Sequence, residues 1–372
     1  MTHASRLALI CLLILCLSAG EAQAEALYRE AQQRFSQWCE SREVPLAEAF
    51  YVDSSGTQVS LWHGDPGLAD DEVAIWPLGS ITKCFTAVLA LELKEAGTLE
   101  LDTPLATYIP EIDDMFSEAE LGNVTLRTLM SHRSGLPYHL AREEHYAFVL
   151  PAARLLLGEQ PKLSHEMLLA SVSTRPLQFE PGQGYQYSNA NFWLAALAME
   201  RATGRDYDWL LLEHVLGPLE LAQTTLWEEP WGCRRMPAHY IVNGEVLDIS
   251  GWDMPGMGRS AGGLYASTQD LWYFSELLRD GSLLDETQFA ELTDFIDTGQ
   301  TANGEAYSYG LGISQRFDGQ RWMYGHNGTT PGNRALWRFD PETGETLIIF
   351  SSLGSQGLNG IGDELLKVLR GE

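Results

Sequence analysis

Apolar positions fall into three regimes along the chain. Leu27, Ala31, Phe35 and Trp38 share one stripe of a helical wheel, which predicts an amphipathic helix over Glu25 to Ser41. Ala47 to Val52 and Gln58 to Trp62 read as strands around Asp53-Ser54-Ser55-Gly56, a hairpin turn signal. A polar loop runs to Asp71. A short extended piece then leads through Trp76 to a helix that opens near Ser80 and stops at Gly97. From Leu101 to about Met254 strand patterns largely vanish. Helices are predicted at Leu126–Ser131, Glu166–Val172, Asn191–Thr203 and Tyr207–Leu216, between loops rich in proline, glycine and aromatics. After Ser260 the pattern changes back. Ser267-Thr268-Gln269-Asp270 is a capping box for a helix ending near Gly281. Tyr309–Arg316, Arg321–Gly325, Asn333–Phe339 and Glu345–Ser351 read as strands, with Pro341-Glu342-Thr343-Gly344 turning the last hairpin. Gly360 to Leu369 is a closing amphipathic helix.

Strands at both ends and helices between them predict an α+β fold. One antiparallel sheet is built from both chain ends, flanked by helices, with a mostly helical region inserted. The mixed part takes residues 25–100 and 255–372, the helical part 101–254. Internal repeats and low-complexity tracts are absent.

Charge and the leader narrow the setting. A net charge of −27 disfavours nucleic acid and anionic membrane surfaces. Residues 1–24 read as a signal peptide: Arg6, an apolar run from Leu7 to Leu17, then Ala22-Gln23-Ala24 as a small-x-small cleavage site. That run is about half the length of a membrane span. A periplasmic or secreted protein with no stable membrane anchor after cleavage is therefore expected. The mature chain keeps Cys39, Cys84 and Cys233, an odd count that excludes a full disulfide framework. Cys84 reads as a core residue, and Cys39 and Cys233 are candidates for a bridge in an oxidising compartment.

The chemistry centres on Ser80-Ile81-Thr82-Lys83. Residues three apart lie one turn apart on one helix face. The following Cys84-Phe85-Thr86-Ala87-Val88-Leu89-Ala90-Leu91 is apolar on nearly every side, so the helix should be buried. Burial disfavours a charged amine. Lys83 could then stay neutral near pH 7 and take the proton of Ser80, which makes a nucleophile. Two fixed positions are weak alone. The chain has only four lysines, however, and placing one inside an apolar helix needs a reason.

Two further stretches carry candidates. In Pro181-Gly182-Gln183-Gly184-Tyr185-Gln186-Tyr187-Ser188-Asn189, Tyr187 and Asn189 can present a phenol and an amide to one cleft, and a neighbouring ammonium would lower the phenol's pKa. A packed aromatic and an ordinary helix cap would look the same. In Tyr324-Gly325-His326-Asn327-Gly328-Thr329, on a strand and the turn after it, the close glycines permit near approach of backbone or ligand. The Thr329 N–H, with that of Ser80, is the candidate oxyanion hole. A glycine-rich turn with a surface histidine is the plain alternative.

Ser-x-x-Lys, Tyr-x-Asn and His-x-Gly in this order resemble the penicillin-recognising serine hydrolases, in the class C β-lactamase and D-Ala-D-Ala carboxypeptidase branch. The likeness extends over most of the mature chain. It takes in Thr128-Leu129-Met130-Ser131-His132-Arg133-Ser134-Gly135-Leu136-Pro137, Glu180-Pro181-Gly182, Gly217-Pro218-Leu219, Ser260-Ala261-Gly262-Gly263-Leu264 and Tyr309-Gly310-Leu311-Gly312. It implies a β-lactamase/transpeptidase-like fold and Ser80 as the acylated nucleophile. Lys83 and Tyr187 would shuttle protons, the split between them being open. Asn189 would bond substrate and Lys83, and His326, Asn327, Gly328 and Thr329 would line the opposite wall. It also implies a small-molecule or peptide substrate and no metal or cofactor.

One departure bears on substrate. β-Lactamases of this branch usually carry Lys-Thr-Gly where this chain has His326-Asn327-Gly328. A histidine is mostly neutral at pH 7, so the fixed charge for an antibiotic carboxylate is lost. His-x-Gly is the form of some D-Ala-D-Ala carboxypeptidases, D-aminopeptidases and esterases, so weak or absent β-lactamase activity is expected.

Rival motifs are poorer. Gly258-Arg259-Ser260-Ala261-Gly262 fits a nucleophile elbow, but no strand pattern precedes it. His165-Glu166 starts like a zinc-protease helix, yet Leu169 stands at the second histidine position. His139 and His145 with Glu143 and Glu144 read as solvated. Tyr138, Tyr146, Trp227, Trp231 and Trp252 are candidates to line a pocket, and Arg334 to meet a substrate carboxylate. A slow-turnover protein that captures cell-wall peptides or β-lactams would carry the same three motifs.

Overall fold

The computed structural model describes residues 24–114, 123–136, 177–226, 229–250, 259–302 and 305–372. Its strands in chain order are β1 (Ala47–Val52), β2 (Gln58–His63), β3 (Val73–Pro77), β4 (Thr224–Thr225), β5 (Cys233–Arg235), β6 (His239–Val242) and β7 (Glu245–Asp248). The later strands are β8 (Tyr265–Ala266), β9 (Ile296–Ala302), β10 (Glu305–Tyr309), β11 (Ser314–Phe317), β12 (Trp322–Thr329), β13 (Arg334–Phe339) and β14 (Thr346–Ser351).

Eight of these form one antiparallel sheet in the order β2-β1-β14-β13-β12-β11-β10-β9. The two chain ends meet where β1 pairs with β14, Ala47 opposite Ser351 and Val52 opposite Thr346. Both strands are buried along their whole length, because helices cover each face. On one face, Ala31, Phe35 and Trp38 of the 24–40 helix pack with Ile361, Leu365 and Leu366 of the Asn359–Leu369 helix. On the other lies the larger core, built around the Thr82–Glu95 helix with Phe85, Val88, Leu89 and Leu91 fully enclosed. The α+β expectation, with a sheet drawn from both ends, holds. Among the described residues no helix is long and apolar enough to cross a membrane.

Several elements differ from the sequence reading. Tyr309–Arg316 is not one strand. Gly310 and Gly312 break it into β10 and β11, because a side chain at either would strike the Leu292 or the Lys83 carbonyl. β12 runs on to Thr329, so His326-Asn327-Gly328 belongs to the strand and not to a turn. The middle region also holds the short strands β4 to β7, among them a β6–β7 hairpin turned at Asn243-Gly244, where both residues have positive φ. Ser267 does cap its helix through the Asp270 N–H, but Asp270 reaches instead to Gln223 and Thr224. The predicted Glu166–Val172 helix lies outside the described residues.

All three described cysteines are free. Cys39 is packed in the outer core with its thiol pushed up to about 12 by burial, while Cys233 sits on β5 in a separate four-stranded sheet of order β4-β8-β3-β5. The proposed bridge is not formed, because the two belong to different layers.

Candidate active site

Ser80 lies on a single 3-10 turn, Gly79–Ile81, that runs directly into the Thr82–Glu95 helix. The three-residue spacing brings Lys83 Nζ to 2.9 Å from Ser80 Oγ. Lys83 is fully buried, Ser80 only half-buried. Burial alone drives the amine's pKa well below its ordinary 10.5. A neutral amine has two N–H groups and one lone pair. One N–H donates to the Ala261 carbonyl at 2.6 Å, which leaves the other N–H and the lone pair, and a neutral amine can turn that lone pair to the serine hydroxyl.

Ala261 was missed from sequence as a contributor to the site, because a main-chain carbonyl leaves no mark on residue type. Its stretch, Arg259–Gly262, is a four-residue helix whose last carbonyls have no partner within it. The Ser260 carbonyl accepts from Thr86 Oγ1 at 2.7 Å, and the Ala261 carbonyl accepts from Lys83. Ser260 itself is buried at 2 % exposure, in a structural place and not on an elbow.

Tyr187 enters from the loop before the Asn189–Thr203 helix, and its O–H lies 2.8 Å from Ser80 Oγ. Lys83 Nζ is 5.0 Å from the Tyr187 ring centroid and 5.5 Å from that of Phe192. The expected Asn189 to Lys83 bond is absent, because the amine is already directed at Ala261. Among the described residues Asn189 Oδ1 has no hydrogen-bond partner. A buried acceptor of that kind suits an incoming N–H donor.

The opposite wall is the far end of β12. β11 begins at Ser314, opposite Gly325, so the edge of His326 to Thr329 runs past it. Thr330 N–H donates to the Asn333 carbonyl, toward β13. Successive strand N–H groups point to opposite edges, so the Thr329 N–H faces the free edge. There Gly79 closes in. With φ at +51°, it has room for no side chain, since a Cβ would lie 2.6 Å from Thr329 N. Gly328 is equally tight against the Leu78 carbonyl. The Thr329 amide is thus set beside the Gly79-Ser80 peptide.

Two wall residues have other roles than the sequence suggested. His326 is 8 % exposed, its Nδ1–H donating to the Asn327 carbonyl at 2.6 Å and its Nε2 accepting from Tyr309 O–H at 2.8 Å. With both nitrogens engaged, it lines the wall as a ring and offers a substrate no hydrogen bond. Burial lowers its pKa to about 3, so it is neutral at pH 7. Asn327 points to the other face of β12, where its amide donates to Asn359 Oδ1 at 3.0 Å, away from the serine. Trp231 is 97 % exposed, on the surface and not in a cleft wall. Arg334 donates to the Thr330 carbonyl of its own turn. Tyr138, Tyr146, Trp227, Trp252, His139, His145 and the His165 stretch lie outside the described residues.

A protein-family model described as Beta-lactamase matches residues 39–367. The chain belongs to the beta-lactamase family. Among curated beta-lactamase relatives, it is 25% identical over 357 residues to esterase EstB of Burkholderia gladioli, covering 81% of this chain and 84% of that one. It is 23% identical to the putative penicillin-binding protein PbpX of Bacillus subtilis, across 79% of this chain and 66% of that one. A beta-lactamase-like protein of Arthroderma benhamiae is 28% identical over 57% of this chain, which spans only 36% of that protein's length. Among solved structures, a D-stereospecific amidohydrolase from Streptomyces sp. superposes with a TM-score of 0.77 at 25% identity, covering 91% of this chain and 97% of that one. The D-amino acid amidase of Ochrobactrum anthropi SV3 shares the fold, with a TM-score of 0.76 at 22% identity, over 92% and 99% of the two chains.

Proposed function

We propose that this chain is a serine hydrolase that cleaves an ester or amide through a Ser80 acyl-enzyme, of the D-Ala-D-Ala carboxypeptidase, D-aminopeptidase or esterase type. One observation carries the proposal: Ser80 Oγ sits between a buried amine at 2.9 Å and a phenol at 2.8 Å. Lys83 takes the hydroxyl proton as Oγ bonds to the substrate carbonyl carbon. The carbonyl π pair moves to oxygen, which the Ser80 and Thr329 N–H groups stabilise. The bond to the leaving group then breaks, and the proton passes through Tyr187 to the departing oxygen or nitrogen. Water attacks the acyl-enzyme with the same groups reversing their roles, and Ser80 is freed. Asn189 Oδ1 accepts an N–H from the substrate's amide side chain.

Likeness to an esterase and to D-amino-acid amidases supports the ester or amide class. The neutral His326 argues against a β-lactam carboxylate as the main ligand. Likeness to PbpX favours one second reading, a protein acylated by penicillin and slow to release it. A panel of nitrocefin, short-chain nitrophenyl esters, D-Ala-D-Ala peptides and D-amino-acid amides, on wild type and Ser80→Ala, separates these. Steady ester or amide turnover that vanishes in Ser80→Ala is expected. Stable labelling by fluorescent penicillin with no turnover of any substrate supports the second reading, and full activity in Ser80→Ala overturns both. The leader supports export to the periplasm or medium, and N-terminal sequencing of exported protein checks it: a chain beginning at Glu25 is expected.

A further inference from the structure

We infer that His132 is a positioning residue for Tyr187, fixing the phenol on Ser80 from both sides of the tyrosine in sequence. This rests on the reading of Ser80 and Tyr187 given above. The His132 carbonyl accepts the Gln186 N–H at 2.9 Å, and His132 Nδ1 accepts the Ser188 N–H at 3.3 Å. The residues before and after Tyr187 are therefore held by one histidine. Its ring also packs on the Tyr187 ring, with centroids 4.2 Å apart.

A buried relay fixes that histidine. The Ser134 hydroxyl accepts the Leu136 N–H at 3.1 Å, so its own hydrogen goes to Asn191 Oδ1 at 2.7 Å. Asn191 is thereby oriented with its NH2 toward His132 Nδ1, at 2.9 Å. Nδ1 faces two N–H donors and must be an acceptor, which puts the ring proton on Nε2. Ser134, Asn191, His132 and Ser188 are each no more than 1 % exposed. Burying so many polar groups for packing alone is costly, because an aliphatic cluster would fill the same space without desolvating them.

Two further features set His132 apart from an ordinary core residue. Its φ is +57°, a conformation a bulky residue adopts at a cost. Among the described residues its buried Nε2 has no hydrogen-bond partner, and the ring is surrounded by Tyr185, Tyr187, Phe192 and Tyr309. Burial holds the His132 ring well below the ordinary imidazole range, so it stays neutral. The backbone geometry, the relay and the stacking all converge on the phenol.

The test is a double-mutant cycle on nitrophenyl ester hydrolysis. His132→Gln removes the acceptor at the Nδ1 position. It should lower kcat by roughly 10- to 100-fold with KM nearly unchanged, the effect of displacing a catalytic group by about an ångström. His132→Asn keeps an acceptor near that position and tolerates positive φ, and should recover most of the loss. In a Tyr187→Phe background, His132→Gln should cost no more than about a further twofold. Should His132→Gln fail to fold, Ser134→Ala breaks the relay at its far end and should show the same kcat-only loss and the same non-additivity. A full, additive loss in the Tyr187→Phe background overturns the inference while leaving Tyr187 catalytic. An unaffected Tyr187→Phe instead overturns the catalytic reading itself.

Discussion

Lys83 donates to the Ala261 carbonyl at 2.6 Å and lies 2.9 Å from Ser80 Oγ, where it can accept a proton only while it has a lone pair. The lysine's reactivity therefore depends on being neutral, not merely on being near. Lys83→Arg supplies a group that stays protonated and cannot act as a base. It should lose on the order of 10²–10⁴ in kcat/KM for ester hydrolysis, with the fold retained by circular dichroism.

The same amine makes a prediction about stability. Its folded pKa lies below the unfolded 10.5, so the native state binds fewer protons than the unfolded state between the two values. Stability must rise with pH through that window. Denaturant titrations of wild type and Lys83→Met should show the difference shifting in favour of wild type as pH increases toward 10.5. A pH-independent difference would mean that the amine is charged in the native protein.

Glu48 runs the other way. It is buried between Trp76 Nε1 at 2.8 Å and Thr268 Oγ1 at 3.0 Å, and burial raises its pKa to about 7. The native state holds the proton longer than the unfolded chain, so stability falls as pH rises from 4.5 to about 7. Glu48→Gln removes this dependence. Relative to the variant, wild type should lose up to about 3 kcal/mol over that range in urea titrations.

Gly79 separates the oxyanion donors from a clash. In Gly79→Ala the new methyl would press on Thr329 N and the backbone would be strained at +51°. Displacing one donor should cost roughly 10²–10³ in kcat. Thermal melts should show a loss of about 1–3 kcal/mol. An unchanged kcat would remove Thr329 from the mechanism.

His326 is held neutral by burial, with a pKa of about 3. The pH profile of kcat/KM between 5 and 8 should therefore carry no limb from this residue, and His326→Asn should leave the shape of the profile unchanged. Its contribution to stability should be present above pH 6.5 and be lost as pH falls toward 3. A limb near 6.5 that disappears in the variant would show that the ring is solvated after all.

The chain's pattern revealed the sheet more readily than the site. β1, β13 and β14 stood out because apolar runs between turn signals are what a doubly covered strand requires, and the edge strand β2 because it follows the hairpin turn at Asp53-Ser54-Ser55-Gly56. The end of β12 was read as a turn because Gly325 and Gly328 look like breakers, although each is there so that another backbone can approach. β4 and β5 are too short to show alternation. Ser80, Lys83 and Tyr187 were legible because their side chains carry the chemistry. Ala261 contributes only a carbonyl. His132 was noted as part of a family-like stretch, but its hold on Tyr187 depends on a fold-level meeting of distant segments.

The pairing of β1 with β14 has a consequence for timing. The nucleophile is synthesised early and the strand that completes its oxyanion cradle is synthesised near the end. A nascent or partly folded polypeptide therefore carries a dormant serine, and competence arrives only when the last strands close the sheet. No separate inhibitory segment is needed to silence the enzyme during its own production.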